Sequence, residues 1–216
     1  LYDIKLISDF CKKNNMFLII DAISTFMCDE FDMDEYGADA VIISSQKGLC
    51  LAPGMSTIVL NKRMVQEKVK NINPQSVYFN FKDYFLNMKR GQTPFTPAVG
   101  ICIELNDMLK SIEKEGLENR LVRIADLCSH FRSLICDLPV SIPAFPLSNA
   151  LTPVIFKDDL AMDIFNGLKN EHRIFVNPSG GKLGKRTIRV AHIGNLKKED
   201  NVLLVEKMKR ILEKGV

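Results

Sequence analysis

Two charged residues close short apolar runs near the start of this 216-residue chain. Asp21 ends Met16-Phe17-Leu18-Ile19-Ile20, and Lys47 follows Asp39-Ala40-Val41-Ile42-Ile43 across Ser44-Ser45-Gln46. Runs of this length and composition read as buried strands of a parallel sheet. An ammonium at the end of such a strand is costly away from water. Desolvation favours the neutral amine, which attacks a carbonyl to form a Schiff base. The plainer alternative is a loop lysine whose head reaches solvent. The acid that closes the other run favours the chemical reading, because open α/β sheets bind ligands beyond the carboxyl ends of their strands.

An amine and a carboxylate at one such edge suit a cofactor with an aldehyde and a ring nitrogen to be kept protonated. Pyridoxal phosphate needs this pair. Two further places carry polar groups suited to anions. Gln92-Thr93-Pro94-Phe95-Thr96-Pro97 is a stiffened loop whose hydroxyls and N–H groups suit a phosphate, or it is a proline turn with capping threonines. Arg189 lies among Ile188, Val190 and Ile193. A guanidinium there needs an anionic partner, either a substrate carboxylate or a buried structural acid.

Asp21-Ala22-Ile23-Ser24-Thr25-Phe26, Ser44-Ser45-Gln46-Lys47-Gly48-Leu49, Ala52-Pro53-Gly54, the threonine–proline loop and Arg189-Val190-Ala191-His192-Ile193-Gly194 occur in that order. Together they resemble the class V aminotransferases of fold type I, in the branch of serine–pyruvate, alanine–glyoxylate and 2-aminoethylphosphonate aminotransferases. The resemblance implies an α/β fold. Residues 1–115 would form the C-terminal part of a large domain with a mostly parallel sheet, and residues 116–216 a small α+β domain. It also implies that the family's phosphate-cradling serine–glycine segment and ring-stacking aromatic precede residue 1, so the chain is read as the C-terminal part of a longer enzyme.

By the same resemblance, Asp21 faces the pyridine nitrogen, Ile23 packs on the ring, and Lys47 forms the Schiff base and shuttles the α proton. Ser45 and Gln46 are both donors suited to the cofactor phosphate, or simply a polar strand end, and the resemblance favours Gln46. Thr93 and Thr96 reach the phosphate of a neighbouring subunit, which requires a homodimer, and Arg189 takes the substrate carboxylate. The implied reaction is transamination between a small amino acid or aminoalkylphosphonate and a 2-oxo acid such as pyruvate or glyoxylate. The Val190-Ala191-His192 that follows Arg189 departs from the isoleucine–glycine common in the family, so the amino donor stays open. The alternatives are an inactive fragment or interaction module of the same fold, or a cysteine desulphurase-like lyase.

Composition is ordinary for a globular chain, with 46% hydrophobic and 25% charged residues. A formal charge of +3 is too small to imply nucleic acid or an anionic membrane. No apolar run approaches the roughly 20 residues of a membrane span, and Leu1 begins no signal-peptide pattern. The six cysteines are scattered without a Cys-x-x-Cys pair, as expected in a reducing, cytoplasmic setting without a metal site. Ser179-Gly180-Gly181-Lys182-Leu183-Gly184-Lys185 lacks phosphate-loop spacing and reads as a hairpin-like loop. His130 and His192 have no acid or serine at motif spacing.

Periodicity places helices at 3–14, 62–70, 98–114, 117–138, 160–170 and 198–214. It places strands at 16–21, 40–43, 56–60, 151–156, 173–176 and 187–193. A turn or short helix at 31–36 ends at Gly37. The aromatic run Tyr78 to Phe85 reads as core or subunit contact.

Overall fold

A computed structural model describes residues 1–214. The contacts sort them into two compact units. One comprises Asp3–Phe26 and Phe31–Ser111; the other comprises Leu1–Tyr2, Met27–Glu30 and the chain from Ile112 on.

In the first unit, α1 spans Ile4–Lys13, and the Asp3 carboxylate caps it by accepting from Leu6 N at 2.9 Å. Its buried face is set by Ser8 and Cys11, while Ile7 and Phe10 stay exposed. That differs from an apolar stripe through all of Ile4, Ile7, Phe10 and Cys11. The Ser8 hydroxyl donates to the Tyr36 carbonyl, which draws α1 onto α2 (Met33–Tyr36). Gly37 ends α2 at φ +60, a left-handed conformation that costs glycine little.

Strand β1 (Ile19–Asp21) pairs in parallel with β2 (Ala40–Ser44), and β2 pairs antiparallel with β3 (Ser56–Leu60). Ile20, Val41 and Ile43 pack one face of this sheet with Cys11, Leu18 and Ala38. Beyond β3, α3 (Lys62–Met64) runs into a π-helical turn at Val65–Val69. Asn80 caps α4 (Phe81–Met88) by accepting from Lys82 N at 3.1 Å, so the alternating aromatics end in a helix. Tyr78 stacks on Phe95 with ring centroids 5.1 Å apart. Helix α5 covers Val99–Glu115.

Asp39 locks one edge of the sheet, at the amino-terminal ends of β1 and β2 and the carboxyl-terminal end of β3. It is 2% exposed, and its carboxylate accepts from Leu18 N at 2.8 Å and from Asn61 Nδ2 at 3.0 Å. Arg63 Nη1 lies 3.5 Å away and supplies the opposite charge. A buried carboxylate is tolerated only with such a full set of donors.

The second unit contains α6 (Leu117–Leu134), β4 (Val140–Ser141), β5 (Leu151–Phe156), α7 (Ala161–His172), β6 (Asn177–Pro178), β7 (Thr187–Ala191) and α8 (Lys198–Glu213). The sheet order is β4-β5-β7-β6, with every pair antiparallel. Along β5, buried residues alternate with half-buried ones, so Thr152, Val154 and Phe156 face the core. Phe131, Ile164, Leu168, Ile188 and Met208 complete that core. Gly167 lets α8 approach α7: a Cβ there would lie 2.9 Å from Ile211 Cδ1.

The expected strand at 173–176 does not form. Arg173 adopts φ +56 and ends α7, with its N–H on the Leu168 and Lys169 carbonyls, and pairing begins only at Asn177. A 3₁₀ turn at Gly181–Lys185 fills the connection from β6 to β7. Among the described residues, no helix is long and apolar enough to cross a membrane, and no group of His, Cys, Asp and Glu is arranged to hold a metal ion.

Replacing Asp39 with Ala would strand the Leu18 N–H, the Asn61 amide and the Arg63 charge together. Urea denaturation should show a loss of about 2–4 kcal/mol. A change below about 0.5 kcal/mol would mean that the strand ends are held by packing alone.

Candidate active site

The parallel pairing of β1 with β2 sets Asp21 opposite Ile42. Both strands therefore leave the sheet at the same edge, about 4.8 Å apart. Pairing continues one residue further, where Ala22 N donates to Ile42 O at 3.0 Å. Asp21 is exposed there, and its Oδ1 accepts from Ile23 N at 2.9 Å in an Asx turn. Ile23 is half-buried beside it. Among the described residues, no cation pairs with Asp21.

After Ser44 the chain enters a closed loop. Ser45 is 1% exposed; its hydroxyl donates to Ala52 O at 2.7 Å and accepts from Met55 N at 3.3 Å. Its single proton is thus engaged within the loop, not turned outward toward a phosphate. Ser45 N donates to Met55 O, and Leu51 N donates to Ser45 O, each at 3.0 Å. Cys50 N closes a tighter turn on Lys47 O at 2.8 Å, with Cys50 at φ +58. Ser44 Oγ donates to Gln46 Oε1 at 2.6 Å, which leaves the exposed Gln46 amide nitrogen as an outward donor. Lys47 is half-buried, and among the described residues no carboxylate pairs with it.

Helix α5 buttresses this loop. Glu104 Oε2 accepts from Ala52 N at 3.3 Å. Gly54 sits at φ +136, and a Cβ there would lie 2.8 Å from Ile101 Cδ1. Thr93 and Thr96 lie in the same unit, exposed, on the connection from α4 to α5. Thr93 Oγ1 donates to Phe95 O at 2.6 Å, and both threonines line an open hollow with Tyr84, Met88 and Gln92.

Arg189 belongs to the second unit. It sits on the exposed face of β7, paired in register with Pro153 on β5 and Asn177 on β6. Its Nη2 donates to Pro178 O at 3.3 Å, and among the described residues no carboxylate pairs with it. A buried structural ion pair is therefore not what holds this guanidinium.

Residues 1–139 match the model of the family described as aminotransferase class-V. The chain belongs to the class V aminotransferase family. It is 27% identical over 191 residues to an L-aspartate–glyoxylate aminotransferase of Paracoccus denitrificans, an alignment spanning 85% of this chain and 47% of that protein. It is 26% identical over 196 residues to a serine–glyoxylate aminotransferase of Arabidopsis thaliana, spanning 85% and 47% of the two chains. The crystal structure of pyridoxamine–pyruvate aminotransferase from Mesorhizobium loti superposes with a TM-score of 0.90 at 20% identity, over 98% of this chain and 56% of that one. The chain thus has the fold type I architecture, and it spans about half the length of the curated relatives it matches.

Class V aminotransferases are pyridoxal-phosphate-dependent. The donor set at the β1–β2 edge fits that group: an amine without a carboxylate partner, an acid without a cation, and an outward amide donor between them in sequence. Lys47 would hold the aldehyde carbon, Asp21 the ring nitrogen, and Gln46 a phosphate oxygen.

Motif spacing does not reveal the surroundings of His192. The residue is fully buried, and its Nε2 lies 2.8 Å from Thr152 Oγ1. Arg132 Nε donates to the same hydroxyl at 3.0 Å. Burial, and then the neighbouring Arg132 charge, push the imidazole down to about 4. Its partners come from α6 and β5, which no short pattern connects. Ser44 was equally hidden, and only its position two residues before Gln46 hints at its role.

Between about pH 6.5 and 4 the unfolded chain takes up a proton on His192 that the folded chain refuses. Stability from this residue is complete above pH 6.5 and is lost as pH falls through that window, by about 3 kcal/mol. Urea midpoints measured across the window should fall, and His192→Phe should flatten this part of the profile. An unchanged slope in the variant would assign the acid sensitivity elsewhere.

Proposed function

We propose that this protein is a pyridoxal-phosphate-dependent aminotransferase that moves an amino group from a small amino acid, or an aminoalkylphosphonate, to a 2-oxo acid such as pyruvate or glyoxylate. The observation that carries the proposal is the exit of Asp21 and of the chain leading to Lys47 from adjacent parallel strands at one edge. Glyoxylate in the names of two relatives supports the acceptor class.

When bound, pyridoxal phosphate supplies an electron-accepting ring beside the substrate's α carbon. Lys47 would be the amine that holds the cofactor's aldehyde carbon. Lys47 would then serve as the general base that takes the substrate's α proton and holds it at Nζ for return. Asp21 would accept from the ring nitrogen, with the Ile23 N–H fixing its carboxylate. Ile23 packs against the ring.

Gln46 donates to the phosphate. Ser45 keeps its place in the cofactor site as the residue that closes the lysine loop. Thr96 donates to the phosphate held by a second subunit, and Thr93 does so once its hydroxyl turns from Phe95 O, so the working form is a homodimer; the scattered cysteines fit a cytoplasmic setting. The forked guanidinium of Arg189 takes the substrate carboxylate in two parallel hydrogen bonds. Residues 1–115 then belong to the large domain and 116–216 to the small one.

Borohydride reduction of the cofactor-loaded complete protein, followed by peptide mapping, should place the label on Lys47. Lys47→Ala should lower transamination by about 10³-fold or more. A label on another lysine, or full activity in Lys47→Ala, would overturn the assignment.

A further inference from the structure

The geometry points to His192 as a positioning residue for Arg189, acting through a Thr152–Arg132 tether that fixes how β7 lies against β5. It rests on the reading of Arg189 as the carboxylate ligand.

Successive side chains of a strand point to opposite faces, so residues three apart also face opposite ways. On β7, Ile188 and Val190 turn into the core, while Arg189 and Ala191 turn out. His192 follows on the core side. A slip of one residue against β5 would turn Arg189 inward and spoil its use as an anion ligand. The packing contacts that oppose such a slip are Val154, Phe156, Ile188 and Val190, which are apolar and non-directional. The directional contact on this face is Thr152 with His192, since Thr152 pairs in register with Val190 and His192 lies two residues further on.

That contact is itself anchored. Arg132 on α6 donates to Thr152 Oγ1 at 3.0 Å, to Ser148 O at 2.8 Å and to Leu151 O at 3.4 Å. The planar fork thereby holds the start of β5 at three points. His192 N also donates to Ala150 O at 2.9 Å, so the backbone closes the same corner. Thr152 Oγ1 accepts from Arg132 and also lies within hydrogen-bond reach of His192 Nε2, at 2.8 Å, and of Cys128 Sγ, at 3.8 Å. The buried Phe131 ring packs against the imidazole, with centroids 5.3 Å apart. Among the described residues His192 Nδ1 has no partner, so the imidazole is held through one nitrogen only.

Three variants of the complete, cofactor-loaded protein test this. His192→Phe keeps the ring and drops the hydrogen bond, Thr152→Val keeps the shape and drops the hydroxyl, and His192→Gln carries an amide toward the Nε2 position. His192→Phe and Thr152→Val should each raise KM for the 2-oxo acid about tenfold, with kcat changed by less than about twofold. Their double variant should be no worse than either alone. His192→Gln should restore KM. Amide hydrogen exchange over residues 187–191 should quicken in the first two variants and recover in His192→Gln.

If Thr152→Val leaves KM and exchange unchanged while Arg189→Ala raises KM, the positioning role fails and the ligand role stands. If Arg189→Ala itself leaves KM unchanged, the carboxylate-ligand reading has failed, and the positioning role falls with it.

Discussion

Parallel pairing between β1 and β2 is the constraint on which the candidate site depends. An antiparallel neighbour would send the acid and the amine to opposite edges of the sheet. Parallel strands deliver both to one edge, at the spacing that backbone hydrogen bonding dictates. The register is secured at the far end, where Asp39 gathers the Leu18 N–H, the Asn61 amide and the Arg63 charge. A buried carboxylate is an expensive way to hold strands together. Its directionality gives what apolar packing alone does not: one alignment of β1, β2 and β3.

The second unit solves a similar problem with different chemistry. Its core is a conventional alternation along β5 and β7, covered by α6, α7 and α8. The polar contacts gather at the start of β5. There Arg132 spans two carbonyls and a hydroxyl, and the Asp29 carboxylate takes the Ser148 hydroxyl and the Asn149 N–H. Arg189 projects from the opposite side of the same sheet and keeps its guanidinium accessible.

The fold was legible in the sequence where signals are local. Asp3 before α1 and Gly37 after α2 are side-chain and backbone devices that act within a few residues. The stretch 173–176 misled because Ile174-Phe175-Val176 has strand composition, whereas strand pairing is settled by a partner elsewhere in the chain. Asp21 and Lys47 stand out in the sequence because each closes an apolar run, and the structure brings the ends of both runs to one edge. Their partners were less so. Ser45 has the right residue type for a phosphate, but its proton goes to Ala52, seven residues on. The environment of His192 is assembled from α6 and β5 and has no signature in its own segment.

Cys50 holds a backbone angle of φ +58, which side-chain-bearing residues adopt at a cost of about 1–2 kcal/mol. Its N–H grips the Lys47 carbonyl, and Ser45 ties off the surrounding loop. The main chain beneath the lysine is therefore a fixed mounting, and the mobility of the amine is left to its four-carbon stem. In the role proposed for Lys47, its amine would swing like a pendulum from such a mounting without dragging the sheet edge along.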